Sequence, residues 1–503
     1  MQERECLAST GKGDLGMEVK FVTSAQVGTF TAVVVAVALA GCSEPVEKTT
    51  QALVAASAEA NFLLPPGSPP HVVFISLDTT RPDSLGLYGH PWVKTPNLDE
   101  LAAESIVFDD AMTPAPTTLA AHTAMMTSTY AHTHGAPRNG FVVGEENVTF
   151  AEILRAAGYS TAATVGAFPL NRRFGLNQGF DHYDDGAARS KNWQRSAREV
   201  TDAALRYVAQ RGPGGPLFLF VHYFDAHAPY TPDREWFEPY REQPVEDPGH
   251  PITPDWMEVL TGKKDMGARK YLVQRYAAEI TYLDHHVGRL LEGLRKAGVL
   301  DGAIVVVTSD HGESLWDNEP WFDHGHTTVQ SVIHAVGILR LPGARHGGAR
   351  VGVPVSTMDW MPTVLAYAGM AAPPDIDGRA IDLTGAAPRV EPRDLFCEAT
   401  KPFTVEREGE WYNAQKEHCI RSGNYKFVYT PHASTRALFN LADDPYDHKN
   451  LLDAPTPEIE KIAAELEAKL DVWHASAAPK SSAFDQKNEQ ETRDQLEALG
   501  YVN

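Results

Sequence analysis

Apolar runs of strand length recur along the chain, and segments with helical periodicity separate them. HVVFISLD (71–78), GPLFLFVHYFDAH (215–227) and GAIVVVTSDHG (302–312) each hold a nearly unbroken series of aliphatic and aromatic residues. Strands of this kind are buried on both faces, as in parallel sheets covered by helices. We therefore predict three buried strands that end in polar residues.

Helix signals lie between these strands. Thr95 begins TPNLDELAAES as a predicted N-cap, and Thr149 with Glu152 forms a predicted capping box for FAEILRAAGY. A long helix is predicted over about residues 270–297, and Gly298 ends it. Its apolar stripe consists of Ile280, Leu283, Val287, Leu290, Leu291 and Leu294.

The alternation of strands and helices sets the fold class. It predicts an α/β domain over residues 71–385, with a mostly parallel central sheet sandwiched by helices. From residue 386 the pattern changes, and CIRSGNYKFVYT and RALFNLADDP are typical of short antiparallel strands. PEIEKIAAELEAKLDVW predicts a helix, and ETRDQLEALGYVN predicts a short docking helix. We therefore predict a small C-terminal α+β subdomain with terminal helices over residues 386–503.

The N-terminal segment predicts export. The apolar run VGTFTAVVVAVALAGC, which ends at Cys42, is short for a membrane span and is typical of a signal-peptide core. Its last residues resemble a bacterial lipobox, in which the cysteine becomes the lipidated first residue. We predict a lipoprotein signal peptide over residues 1–41, a flexible tether over 42–70, and a lipid-anchored protein of the cell envelope, on the periplasmic or outer-membrane side. A short membrane anchor and a plain secretory signal are the alternatives.

Composition narrows the classes of partner. The 503 residues carry a formal net charge of −22, which argues against nucleic acid, because phosphate contacts need clustered lysine and arginine. Membrane contact is expected only through the lipid anchor. An anionic substrate needs local positive charge, which a bound metal ion supplies. The cysteines lack metal-site spacing, so Cys397 and Cys419 either pair in an oxidising compartment or stay buried thiols.

Polar side chains follow each of the three buried strands. Asp78 closes the first strand, Asp225 and His227 follow the second, and Asp310 and His311 follow the third. Ligands of open α/β sheets bind beyond the carboxyl ends of the strands, so we expect these groups to meet. Asp78, Asp310 and His311 together predict a divalent metal site with oxygen and nitrogen ligands. The alternative for each single aspartate is a turn residue or helix cap.

Two other histidine pairs are expected to be structural. His285 and His286 lie off the apolar stripe of the long helix, so we predict that both are at the surface. His132 and His134, in AHTHG, are predicted to form structural hydrogen bonds in a loop.

Several motifs, taken in order, carry a family resemblance. LDTTRPDSLGLYG, TTLAAHTAMMTSTYAHTHG, HYFDAHAPY and SDHGESL resemble the sulfatase family of the alkaline phosphatase superfamily. MDWMPTVLAYAG, RSGNYKFVY and ALFNLADDPYDHKNL resemble the second half of such enzymes. The resemblance covers about residues 71–455 and implies an ester hydrolase with a bound metal.

The segment that carries the nucleophile departs from the family pattern. Counting back from Thr127 places Thr118, and not Thr117, at the position of the family's cysteine in C-x-P-S-R. His122 then stands at the arginine position, and Ser128 replaces a glycine. A threonine is not converted to formylglycine, the residue with which ordinary sulfatases expel sulfate. The family's lysine motif is also missing, because TVGAFPLNRRFG stands in its place.

A threonine nucleophile resembles that of related phosphoester-cleaving enzymes. Phosphoethanolamine transferases share the T-x-R-x-D element that Arg81 occupies here, and an HG dipeptide that matches His324. Arg81 is expected to hold its loop through a salt bridge, with substrate contact as the alternative. Nucleotide pyrophosphatases also use threonine, but they have an aspartate where this chain has Tyr230. The resemblance therefore implies one tightly held metal ion.

The resemblance implies a role for each candidate residue. Asp78, Thr118, Asp310 and His311 are the expected metal ligands, with Thr118 also the attacking group. His227 and His324 are expected to hold substrate oxygens and protonate the leaving group. His326 is the alternative to His324. His122 either contacts the anion or fills the space of the arginine.

Metal and substrate classes follow from these assignments. The imidazole of His311 favours zinc or manganese, and calcium and magnesium are the alternatives. The expected activity is metal-dependent hydrolysis of a small anionic phosphate, phosphonate or sulfate ester through a Thr118 intermediate. Two other functions stay open, namely a transferase that moves a phospho-group onto an envelope lipid or glycan, and an inactive binding lipoprotein.

Overall fold

The computed structural model of the protein describes residues 69–186, 194–245, 269–315, 317–318, 320–485 and 488–498. The predicted signal peptide and nearly all of the predicted tether lie outside these residues, so both stay predictions. Within the described ranges, no helix is both long enough and apolar enough to cross a membrane.

Strands and helices alternate through most of the described residues. The strands are β1 His71–Leu77, β2 Ile106–Phe108, β3 Ala111–Met112, β4 Phe141–Val143, β5 Ser160–Val165, β6 His182–Asp184, β7 Leu217–Tyr223, β8 Ala303–Ser309, β9 His334–Ala335, β10 Gly337–Arg340, β11 Arg350–Val351, β12 Val355–Ser356, β13 Leu395–Glu398, β14 His418–Ser422, β15 Tyr425–Thr430, β16 Thr435–Asn440 and β17 Ser482–Phe484. The α-helices are α1 Pro96–Ala103, α2 Thr118–Thr127, α3 Ala131–His134, α4 Phe150–Ala156, α5 Ala197–Arg211, α6 Arg234–Phe237, α7 Arg269–Lys296, α8 Gln330–Ile333, α9 Trp360–Tyr367, α10 Pro457–Ala475 and α11 Glu489–Ala498.

The main sheet is mostly parallel. As far as the chain is described, its strand order is β11-β2-β10-β8-β1-β7-β5-β6. Strands β8, β1, β7, β5 and β6 run parallel, and β10 pairs antiparallel with β8. Strand β1 lies between β7 and β8, so that Ile75 is in register with Val221 on one side and Val307 on the other. The predicted α/β class is confirmed.

Alternate residues of the central strands enter two hydrophobic cores. Phe74 and Val306 point to one face, where residues of α2, α4 and α9 pack on them. Val73 and Val305 point to the other face, where residues of α1, α5 and α7 cover them. Each fully buried side chain of this size stabilises the fold by about 1.5–3 kcal/mol. The sheet is therefore sandwiched by helices, as predicted.

Most of the predicted helix features are confirmed. The long helix is α7, and every residue of its predicted stripe is buried. Gly298 follows it with a φ of 72°, in the left-handed region that ends helices. Thr149 and Glu152 form the predicted capping box. Thr95 occupies the N-cap position of α1, but its side chain makes no capping bond, because its hydroxyl donates to Asp99 instead.

The C-terminal subdomain is also observed. Strands β13 to β16 form an antiparallel sheet, and α10 packs against it. Cys397 and Cys419 face each other in register on β13 and β14, and both are buried free thiols. The end of the described chain returns to the main domain, where β17 pairs with β4 and Leu496 of α11 is buried in the core with α2. The predicted docking helix is confirmed.

The two histidine pairs differ in part from the predictions. His285 is exposed, but His286 is only 5% exposed, so its predicted surface position is wrong. The reason is that α5 packs over this side of α7. His132 and His134 lie in the short helix α3 and not in a loop. Nδ1 of His134 accepts a hydrogen bond from a backbone N–H, which fits its predicted structural role.

Candidate active site

The carboxyl ends of β1 and β8 bring Asp78, Asp310 and His311 together. The two strands are parallel neighbours, so the residues that follow them share one edge of the sheet. One potential ligand atom from each of the three side chains lies within 4.8 Å of the others. Nε2 of His311 is 3.4 Å from Oδ2 of Asp310, and the backbone N–H of Thr79 donates to Oδ1 of Asp310 over 3.2 Å. The expected convergence is therefore observed for Asp78, Asp310 and His311. Asp225 does not join them, because it lies against the start of α5 and near Glu279.

The turn after β1 has an unusual backbone. Thr79 has a φ of 50°, a left-handed conformation that is unfavourable for a β-branched residue. Such a conformation costs about 1–3 kcal/mol and persists only where the surroundings enforce it. Here the hydroxyl of Tyr276 donates to the carbonyl of Thr79 over 2.8 Å and accepts from the N–H of Arg81 over 3.0 Å. The turn thereby aims the N–H of Thr79 at Asp310.

The three converging side chains have buried polar atoms that no neighbouring described group satisfies. All are fully buried, and four of their atoms lack hydrogen-bond partners within the described residues, namely Asp78 Oδ1 and Oδ2, Asp310 Oδ2 and His311 Nε2. Burial, with the neighbouring Asp310 carboxylate, raises the pKa of Asp78 well above its usual value, and burial raises that of Asp310 to about 6. Burial lowers the pKa of His311 to about 4, so the ring is neutral near pH 7. These donors fit a divalent cation.

Helix α2 begins next to these residues. Thr118 is its first residue and is buried, and the carbonyl oxygen of Thr118 lies 2.6 Å from Nδ1 of His122. The same nitrogen lies 3.7 Å from Oδ2 of Asp310. Thr117 is the N-cap, but its side chain makes no capping bond, and its hydroxyl has no partner within the described residues. The predicted nucleophile segment is therefore in the site.

His122 lies next to Asp310, against strands β1 and β7. Its Nε2 is 2.8 Å from the hydroxyl oxygen of Ser76 on β1, and its ring packs edge-on against Phe220 on β7. Burial lowers the pKa of His122, so the ring is neutral near pH 7. The structure places the side chain against a carboxylate and two strands.

His222 belongs to the site although the sequence did not single it out. Its Nε2 lies 3.2 Å from Oδ2 of Asp78, and its ring centroid is 4.8 Å from that of His122. Potential ligand atoms of His122, His222 and Asp310 form a second group within 4.8 Å. The available signal was a polar residue inside the apolar run FLFVHYF.

His227 and His324 lie side by side at the same edge. Their ring centroids are 5.2 Å apart, and the ring of His324 is 4.3 Å from that of His311. Glu313 was not predicted as a site residue. Its Oε1 lies 3.2 Å from Nδ1 of His324. Its Oε2 accepts a hydrogen bond from the hydroxyl of Tyr230 over 3.1 Å. Glu313 therefore orients one of the two predicted acid–base histidines.

His326 and Arg81, two further residues predicted from the sequence, lie around the candidate active site. Nε2 of His326 lies 3.3 Å from Oδ2 of Asp323, and a quarter of its side chain is exposed. Arg81 forms ion pairs with Asp83 at 2.6 Å and with Asp317 at 2.8 Å. The loop-holding salt bridge expected for Arg81 is therefore present.

Comparison with known proteins identifies the family. The Sulfatase family model matches residues 70–370, which include every site residue described above. This match covers more than half of the chain. The protein therefore belongs to the sulfatase family.

Individual relatives agree with this assignment. An ulvan-active sulfatase of Formosa agariphila is 27% identical over 435 residues, with 80% of each chain covered. A multifunctional alkaline phosphatase superfamily protein of Trinickia caryophylli is 24% identical, with 78% of this chain and 91% of the relative covered. These matches and the family make the protein a sulfatase-like ester hydrolase.

Solved structures share the fold. A protein in complex with its substrate D-glucosamine-2-N,6-O-disulfate aligns with a TM-score of 0.69 at 20% identity, covering 81% of this chain and 98% of its own. The phosphonate monoester hydrolase of Agrobacterium radiobacter aligns with a TM-score of 0.66 at 19% identity, covering 81% and 96%. Both support the α/β architecture.

Proposed function

We propose that the protein hydrolyses a phosphate, phosphonate or sulfate ester through a covalent intermediate on Thr118, with one bound metal ion. One observation supports this proposal most strongly. Asp78, Asp310 and His311 bring potential metal-ligand atoms, which lack hydrogen-bond partners in the described chain, close together beside the start of α2. Phosphorus esters are favoured as substrates, because a sulfate ester on threonine cannot expel sulfate in the way that formylglycine does.

Four residues would hold the metal ion in this proposal. Asp78, Asp310 and His311 supply oxygen and nitrogen ligands, and the Thr118 hydroxyl completes the set. When bound, the ion supplies positive charge that lowers the pKa of a coordinated hydroxyl and attracts an anionic ester. Zinc or manganese is favoured over calcium or magnesium because of the imidazole ligand.

The chain's own groups carry the bond changes. The hydroxyl of Thr118 releases its proton to water, its oxygen attacks phosphorus or sulfur, and the bond to the leaving-group oxygen breaks. Burial lowers the pKa of His227 to about 3 and that of His324 well below its usual value, whereas a bound anionic ester shifts both pKa values upward again. The two rings hold the substrate oxygens and protonate the leaving group. Water then attacks the ester on Thr118 and restores its hydroxyl.

Export and lipid anchoring belong to the same proposal. Their support is the apolar run before Cys42 and its lipobox-like end. Cells that express the full chain should incorporate labelled fatty acid into the protein, and Cys42→Ser should abolish the labelling. Equal labelling of the variant would contradict the anchor.

Metal analysis and ester assays test the proposed activity. We expect the purified protein to hold about one metal ion per chain and to cleave a nitrophenyl phosphate, phosphodiester, phosphonate or sulfate. Asp310→Asn should lose both the metal and the turnover. Thr118→Ala should lower turnover by about 10³-fold or more, and Thr117→Ala is the matched control. Absence of metal and of turnover on every ester would refute the proposal.

A further inference from the structure

A cavity of about 610 Å³ opens beside His227. Its wall joins the loop after β7 to the start of α5 and to α7. Its lining includes Phe224, Asp225, His227, Trp236, Glu279 and Tyr282. Because His227 borders both the cavity and the candidate active site, the cavity lies directly beside that site.

Asp225 and Glu279 are neighbouring carboxylates in the cavity wall, and neither forms an ion pair with another described residue. Burial raises the pKa of Asp225 to about 7 and that of Glu279 to about 8, and the charge of Asp225 adds to the second shift. Oδ2 of Asp225 is buried and has no hydrogen-bond partner in the described part of the chain. Glu279 is 8% exposed, and its Oε1 accepts from the backbone N–H of Thr231 over 2.8 Å. A cation bound between the two carboxylates would lower the free-energy cost of their buried negative charge.

The basic residues nearby leave the cavity with an excess of negative charge. Arg195 lines the cavity, but its guanidinium pairs with Asp184 at 3.2 Å. Glu199 and Asp233 add two acidic groups to the wall. Arg275 opposes the rise in the pKa of Glu279, but burial and the charge of Asp225 outweigh it. A second anionic group on the substrate is therefore disfavoured here, and a cationic group is favoured.

Aromatic rings complete the wall. The ring centroids of Trp236 and Tyr282 are 5.5 Å apart, and Phe224 stacks on His227 with centroids 4.4 Å apart. The faces of aromatic rings attract ammonium groups. A ligand that has hydroxyl groups but no ammonium group could also pack against these rings. It would leave the buried carboxylates without an opposite charge.

We propose that this cavity receives the leaving group of the substrate, and that this leaving group carries an ammonium group. The proposal rests on the proposed ester hydrolysis and names its substrate class. The substrate is then zwitterionic, with its anionic end at the strand ends and its cationic end between Asp225 and Glu279. Amino alcohols and amino sugars share this chemistry, and the experiment separates them.

Isosteric ester pairs test the proposal on the metal-loaded protein. We compare 2-aminoethyl phosphate with propyl phosphate, the corresponding sulfates with each other, and glucosamine 6-phosphate with glucose 6-phosphate. The aminated ester of the preferred pair should show a kcat/KM about 10- to 100-fold higher, the usual range for a charge-assisted contact. The pair with the larger ratio identifies an amino alcohol or an amino sugar. Ratios near one in all pairs, or preference for the neutral ester, would overturn the proposal.

Two variants assign the effect to the carboxylates. Glu279→Gln and Asp225→Asn keep the side-chain shapes and should each reduce the amine preference by about tenfold. Glu292→Gln, on the exposed side of α7, is the matched control and should keep the full preference. Full preference in both pocket variants would contradict the assignment.

A binding measurement separates the two proposals. Calorimetry with the same ester pairs on metal-loaded Thr118→Ala, which cannot form the proposed intermediate, gives a Kd ratio that does not depend on turnover. If no ester is cleaved, the proposed hydrolysis fails, and the Kd ratio still decides for or against the ammonium pocket. If all pairs are cleaved equally and bound equally, the pocket proposal fails and the hydrolysis stands.

Discussion

Nε2 of His222 lies 3.2 Å from Oδ2 of Asp78, and this contact joins the inside of β7 to the end of β1. On the other side of the ring, the backbone N–H of Gly166 reaches Nδ1 of His222 over 3.4 Å. A backbone N–H only donates, so Nδ1 accepts, and a neutral ring carries its proton on Nε2. Burial keeps the ring neutral by lowering the pKa of His222 well below its usual value. The protonated Nε2 of His222 therefore faces Asp78 in a close polar contact, although neither atom has a hydrogen-bond partner within the described residues.

This contact predicts an effect on metal affinity. We expect His222→Phe to weaken metal binding by about 10- to 100-fold, because the polar side chains that surround a metal site orient its ligands. Calorimetric titration of metal-free protein with Zn²⁺ and with Mn²⁺ measures the change. His285→Ala, at an exposed histidine of α7, is the control and should bind as the unchanged protein does. Equal affinities in both variants would show that Asp78 needs no support from His222.

The terminal helix predicts an effect on stability. Leu496 of α11 is 1% exposed and packs in the core with α2, although it lies almost at the end of the described chain. Leu496→Ala should lower the free energy of unfolding by about 2–5 kcal/mol in urea denaturation. Val472→Ala, at a residue that is 72% exposed, should change it by less than about 0.5 kcal/mol. If Leu496→Ala lowered the free energy of unfolding as little as Val472→Ala does, the helix would not dock in solution.

Glu279 predicts a pH dependence of stability. Burial raises its pKa in the folded state to about 8, above the ordinary 4.5, with Asp225 and Asp233 adding to the shift and Arg275 opposing it. The folded state then binds a proton that the unfolded chain has released. The contribution of Glu279 to stability is therefore full below pH 4.5 and is lost as the pH rises through 8.

Glu279→Gln removes this dependence. Between pH 5 and pH 8 the free energy of unfolding of the variant should fall by about 1–3 kcal/mol less than that of the unchanged protein. Urea denaturation at the two pH values measures the difference. A parallel fall in both proteins would contradict the raised pKa of Glu279.

The cluster of Asp78, Asp310 and His311 could be predicted from the sequence because of a topological rule. Asp78, Asp310 and His311 each follow an apolar run, and parallel strands place such residues at one edge of the sheet. The long helix and the capping box were predictable for a similar reason, since their signals are local in sequence. Neither depends on which elements become neighbours.

The supporting residues could not be predicted in this way. His222 lies inside a buried strand, and only the pairing of β1 with β7 brings it to Asp78. Glu313 gains its role from a loop that returns His324 to the site. His286 looks exposed on a helical projection of α7 and is buried because α5 covers it. These positions depend on tertiary packing, which a single sequence does not specify locally.

The central claim is that Thr118 forms the covalent intermediate, and trapping this intermediate tests it most directly. The metal-loaded protein is mixed with a nitrophenyl phosphate, quenched in acid during turnover and digested, and the modified residue is located by fragmentation mass spectrometry. Our account predicts a phosphoryl group on Thr118 that is absent from Thr118→Ala, whose turnover is lost. A phosphoryl group on Thr117, or full turnover by Thr118→Ala, would contradict it.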